Sequence, residues 1–165
     1  GIHKSDPLVR TATGIRGEIF LYEGWQKIAR KVSDSGADVN IITNANQLGD
    51  KEIEQIRYAK LCNVGISLDG MEESHNRIRN SKTSFQRVIK AIDRLNEESI
   101  PITIVTSLLD FNFYDLNPLH DLIAEKGIPS WQIQIANAMG SMADNRSMLL
   151  LIKRYTHIDQ TSLHY

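Results

Sequence analysis

Two polar side chains stand two residues apart in VGISLDG (residues 64–70), where an apolar run stops and the charged stretch MEESHNRIR begins. In an extended chain Ser67 and Asp69 point to one side, and Ile66 and Leu68 to the other. A hydroxyl and a carboxylate side by side at a strand end can hold vicinal hydroxyls or a zwitterion. The same kind of ending recurs along the chain. Thr43 and Asn44 close VNIITNAN, Thr106 and Ser107 close PITIVTSLL, Gln134 and Asn137 lie in SWQIQIANA, and Glu18 lies in GEIFL. The set is rich in hydrogen-bonding groups and poor in cations. It suits a zwitterionic or hydroxyl-rich ligand better than a polyphosphate.

Each of these residues also has an ordinary explanation. Ser67 and Asp69 can end a strand in an Asp-Gly turn, and Asn44 is a turn former. His75 is expected on the solvated side of a helix. Arg77 and Arg79 are expected as surface charges, although one of them can reach back over the strand end to a carboxylate. The methionines at 139, 142 and 148 are expected to pack. Cys62, the single cysteine, sits at a helix-to-strand junction and is expected to be a structural thiol.

Other chemistries lack their residues. No GxxxxGKS/T loop and no GxGxxG after a strand are present, and no HExxH or HxxxH. No lysine lies in the middle or at the end of an expected strand, which argues against Schiff-base chemistry.

The elements that must position the polar endings alternate strictly. Expected strands cover residues 17–21, 39–46, 64–70, 101–109 and 130–138. Expected helices cover 25–36, 50–59, 84–96, 116–126 and 146–154, with Gly36 and Gly127 as C-terminal stops. Each strand and helix together span about thirty residues, the length of a βαβ unit, so the strands should be parallel with right-handed crossovers. One strand face is apolar and the other polar. Helices on one side and a wet, curved lumen on the other explain this better than a sheet buried on both faces. The expected fold class is α/β, a partial (β/α) TIM-like barrel of about five parallel strands, with ligands at the carboxyl ends of the strands. Residues 1–16 are expected to be an unstructured leader, 17–155 the barrel and 156–165 a polar tail.

Composition narrows the partners. The 165 residues carry a net charge of -1, with 41% hydrophobic and 24% charged residues. Such a balance makes no electrostatic case for nucleic acid or an anionic membrane. No apolar run approaches the ~20 residues of a membrane helix. A cytoplasmic protein is the default expectation. The exposed edge of an incomplete barrel could pair with a second copy in a homodimer.

Taken in order, GE-x-x-L, ITNAN, SLDG with SHNRIR, TSFQRVIKAI, IPITI and WQIQ resemble the radical S-adenosylmethionine superfamily. The branch they resemble is that of coenzyme PQQ synthesis and anaerobic sulfatase maturation. The resemblance covers about residues 17–150. It implies a partial (β/α) barrel, a 4Fe–4S cluster, and reductive cleavage of S-adenosylmethionine to methionine and a deoxyadenosyl radical. It implies a small-molecule or peptide substrate. The family's GGE motif falls on Arg16, Gly17 and Glu18, its TNG segment on Thr43, Asn44 and Ala45, and its SxDG segment on Ser67, Asp69 and Gly70. The arginine that follows falls on Arg79, with Arg77 as the alternative. With Gln134 from the ring of strand ends, the candidate cofactor-binding residues are Gly17, Glu18, Asn44, Ser67, Asp69, Arg79 and Gln134. No catalytic or metal-ligating residue is assigned.

The chain departs from the family pattern in three ways. The family's cluster needs the three thiolates of CxxxCxxC, and Cys62 is one thiol in another place, so this stretch alone is not expected to hold the cluster. The first strand-loop-helix unit has no counterpart here. Arg16 and Ala45 stand where glycines are expected. Two readings follow: a piece of a radical S-adenosylmethionine enzyme, or a degenerate barrel. A non-catalytic (β/α) module for a small polar ligand or peptide is the alternative from another class.

Overall fold

A computed structural model describes residues 11–13 and 18–135. Five strands form one parallel sheet in chain order: β1 (Thr11–Thr13), β2 (Asp38–Thr43), β3 (Asn63–Ser67), β4 (Ile102–Leu108) and β5 (Ser130–Ile135). The crossovers carry α1 (Trp25–Asp34), α2 (Asp50–Ala59), α3 (Glu72–Ile78), α4 (Ser84–Glu97) and α5 (Leu116–Glu125). Strand order equal to chain order, with every pair parallel, is the arrangement of a partial (β/α) barrel. Among the described residues, no helix is long and apolar enough to cross a membrane.

The core lies between the sheet and its helices. Ile66 of β3, Leu68 just after it, Ile104 of β4 and Leu95 of α4 are fully buried there. Val88, Ala91, Ile92 and Leu95 recur at helical spacing, so α4 presents one apolar stripe to the sheet. Each such aliphatic side chain stabilises the fold by about 1.5–3 kcal/mol when taken out of water. Gly36 and Gly127 stop their helices as expected, with φ of +87° and +66°, a region that a β-carbon disfavours.

Two elements differ from expectation. The described part of the expected strand over 17–21 is not extended: Ile19–Leu21 is a 3-10 helix. The strand beside β2 is instead β1, so Thr11–Thr13 belongs to the sheet and the leader boundary expected at residue 16 does not hold. Three residues are too few to show a period of two, so the sequence carries no signal for β1. Its place comes from the register Thr11↔Asp38 to Thr13↔Asn40 with β2. The expected helix over 146–154, Asn137, Gly17 and the tail lie outside the described residues. On β5, Ile133 and Ile135 are exposed.

Candidate functional site

Parallel strands bring their carboxyl ends to one rim, and the polar endings meet there. The face that carries Ile66 and Leu68 packs on the helices, which leaves Ser67 on the lumen side of β3. The Ser67 hydroxyl is half-buried and has no hydrogen-bond partner among the described residues. Ser107 and Gln134 follow on β4 and β5 and are paired in register. Gln134 is exposed.

Glu18 stands at the end of β2. Its carboxylate accepts the Thr43 hydroxyl at 2.9 Å and the Asn44 N–H at 3.3 Å. Thr43 is buried, and its oxygen also accepts the Ala45 N–H at 3.0 Å. The Asn44 side chain is spent on its own turn, accepting the Asn46 N–H at 2.9 Å. Ala45 takes a φ of +57° here, which accounts for a glycine being expected at this position.

Asp69 follows the end of β3 and is 1% exposed. Its Oδ1 accepts the Ser107 N–H at 2.9 Å, and Oδ2 stands 2.6 Å from Arg79 Nη2 in an ion pair that lacks hydrogen-bond geometry. The pair sets carboxylate and guanidinium side by side at the strand end. Arg79 is the arginine that reaches back over the strand end, whereas Arg77 lies over the Phe111 ring at 4.6 Å. Arg79 Nε is buried and donates to no described acceptor. The Arg79 side chain is partly exposed, and the open edge of its guanidinium can face an anionic ligand group.

Sequence reasoning missed the groups that hold Asp69. His75, expected in solvent, is 1% exposed, and its Nδ1 accepts the Asp69 N–H at 3.1 Å. Asn112, also buried, donates to the carbonyls of Asp69 and Ser107 at 2.5 and 2.9 Å. Asp115 accepts the Met71 N–H at 3.0 Å. The burial of His75 has a faint sequence signal, since it stands four residues before Arg79 and shares its helical face. For the Asn112–Asp69 and Asp115–Met71 bonds there is none, because the partners lie more than forty residues apart.

The donor set fits S-adenosylmethionine and not the cluster. Glu18 offers acceptors for an ammonium, Ser67 a free hydroxyl and Arg79 the exposed edge of its guanidinium for a carboxylate. Among the described residues no three His, Cys, Asp or Glu groups come together for a metal. Cys62 is exposed, lies just before β3 at the opposite rim, and donates to Asp38 Oδ1 at 3.3 Å. Burial of its sulfur raises the thiol pKa, away from the thiolate form that iron needs.

The chain is similar to known proteins along most of its described length. The family model of the radical SAM superfamily matches residues 4–123. The sporulation killing factor maturation protein SkfB of Bacillus subtilis is 27% identical over 117 residues, 71% of this chain and 28% of that protein. The antilisterial bacteriocin subtilosin biosynthesis protein AlbA of the same organism is 25% identical over 130 residues, 78% of this chain and 29% of that protein. The chain thus spans less than a third of the length of these relatives. Among solved structures, Streptococcus suis SuiB bound to S-adenosylmethionine superposes with a TM-score of 0.65 at 17% identity, covering 74% of this chain and 29% of that one. At that identity the likeness is one of fold.

Proposed function

This chain belongs to the radical SAM superfamily, and from that premise we propose that its strand-end rim holds S-adenosylmethionine within a longer enzyme that modifies a peptide. The observation that carries the reading is the pairing of opposite needs on one rim. Glu18, fixed by Thr43, offers negative charge. Arg79, paired with Asp69, offers positive charge on a partly exposed side chain. Ser67 lies at the end of β3, the strand next to β2. An α-amino acid headgroup carries the complementary ammonium and carboxylate. The bound molecule supplies the sulfonium that the family cleaves reductively. The chain's own residues bind and orient it, and Gln134 and Ser107 extend the polar rim for the rest of the ligand.

A peptide as the molecule acted on is supported by what the relatives are. SkfB is named for maturation of a sporulation killing factor and AlbA for biosynthesis of a bacteriocin, and SuiB has been solved with its precursor peptide SuiA. The described residues supply the ligand's binding wall and not the ligands of a cluster.

The reading is tested by calorimetry with S-adenosylmethionine and with S-adenosylhomocysteine. Binding is expected, weakened about tenfold or more by Arg79→Ala and by Glu18→Gln, since each removes one charge-assisted contact. No heat with either compound would sink the reading and leave a non-catalytic barrel module.

A further inference from the structure

The buried His75 is not used by any contact to the proposed ligand. Its ring stands edge-on to Phe85 at 6.3 Å and is closed from water. Nδ1 accepts the Asp69 N–H at 3.1 Å, so the ring proton must sit on Nε2, which then donates to Ser84 Oγ at 3.0 Å. The ring therefore ties the turn after β3 to the first turn of α4. Asp69 is then held at four points: its N–H by His75, its carbonyl by Asn112, and its carboxylate by Ser107 and Arg79. The Arg79 N–H also donates to the His75 carbonyl at 3.0 Å, so one residue holds both members of the ion pair.

We infer that His75 is a positioning residue for the ligand's carboxylate: it fixes Asp69, Asp69 aims the Arg79 guanidinium, and the exposed edge of the guanidinium meets the anion. The inference rests on the proposed binding of S-adenosylmethionine and adds a residue that touches no ligand atom. Its chemistry requires one acceptor and one donor about an imidazole's width apart. Glutamine supplies both, and leucine supplies neither while filling similar space.

The test compares His75→Gln, His75→Leu and Ser84→Ala in the full chain, titrated with S-adenosylmethionine and with its decarboxylated form. His75→Leu is expected to weaken S-adenosylmethionine about tenfold or more, with the decarboxylated compound changed less than about twofold; His75→Gln should stay within about threefold of the parent. Equal weakening of both compounds would overturn the role and make His75 a packing residue. If the leucine variant does not fold, Ser84→Ala decides, with about a threefold loss specific to the carboxylate expected and no such difference overturning. A separate arm reads the Arg79 Nε–H signal by NMR, which should persist in the glutamine variant and vanish in the leucine variant. If the parent chain binds neither compound, the binding proposal fails alone, and this signal still decides the role of His75: its persistence in the leucine variant overturns it.

Discussion

Arg79 Nη2 and Asp69 Oδ2 lie 2.6 Å apart, joining the last turn of α3 to the end of β3 across a carboxylate that is 1% exposed. The pair closes the excursion that begins with SLDG. A buried carboxylate costs several kcal/mol to desolvate, and the ion pair and the Ser107 N–H offset that loss. Removing one partner leaves the other charge uncompensated.

Asp69→Asn should therefore destabilise the chain by about 2–4 kcal/mol, the lower part of the range for a broken buried pair because Arg79 keeps some contact with water. Urea unfolding checks this. A change in the midpoint within error would mean that the Asp69 carboxylate is solvated in solution.

Gly70 is irreplaceable for a steric reason. Its φ is +143°, and a β-carbon there would come within 2.5 Å of Asp115 Oδ2 and 3.0 Å of Ser74 Cβ. Gly70→Ala should cost about 2–3 kcal/mol, combining backbone strain with displacement of Asp115 from the Met71 N–H. Gly70→Ala with Asp115→Ala should recover only part of the loss, because the strained φ remains. Full recovery of the thermal midpoint in the double variant would remove the backbone from this account.

The His75 imidazole gives stability a defined dependence on pH. Burial lowers its pKa from the usual 6.5 to about 4; the Asp69 carboxylate works against that shift and the Arg79 guanidinium with it. The Ser84 hydroxyl and the Phe85 ring, the α4 groups against the imidazole, carry no charge. The unfolded chain binds the proton first as pH falls. His75 thus contributes its stability fully above about pH 6.5 and loses it progressively down to about pH 4, an effect of about 2–3 kcal/mol. Unfolding free energies of the parent and His75→Gln at about pH 7 and about pH 4.5 should differ in slope, the parent falling more. Parallel curves would assign the dependence to other groups.

Thr43 joins Glu18 to the backbone of the next turn. Thr43→Val keeps the shape and deletes the hydroxyl, leaving the buried Ala45 N–H unpaired and Glu18 without its side-chain donor. A loss of about 1–2 kcal/mol in stability is expected, with weaker binding of S-adenosylmethionine. Calorimetry showing parent-like affinity in Thr43→Val would separate Glu18 from the ligand.

The sequence by itself determined the alternation, the parallel sheet and the polar rim. Those features are local: a period of two places Ser67 opposite Ile66 and Leu68, a period of 3.6 draws the stripe of α4, and glycine stops α1 and α5. It also held enough to expect that Arg77 or Arg79 could reach a carboxylate at the strand end; the fold selected Arg79. Tertiary structure decided the rest, because the rest depends on partners far away along the chain. Thr11–Thr13 became a strand only by pairing with β2, and His75 left solvent only because Asp69 and Ser84 converged on its two nitrogens. Asp69 was closed from water when Ser107 and Arg79 converged on its carboxylate. Periodicity tells which face a side chain takes; only the assembled rim tells whether its polar atoms are free or already bonded.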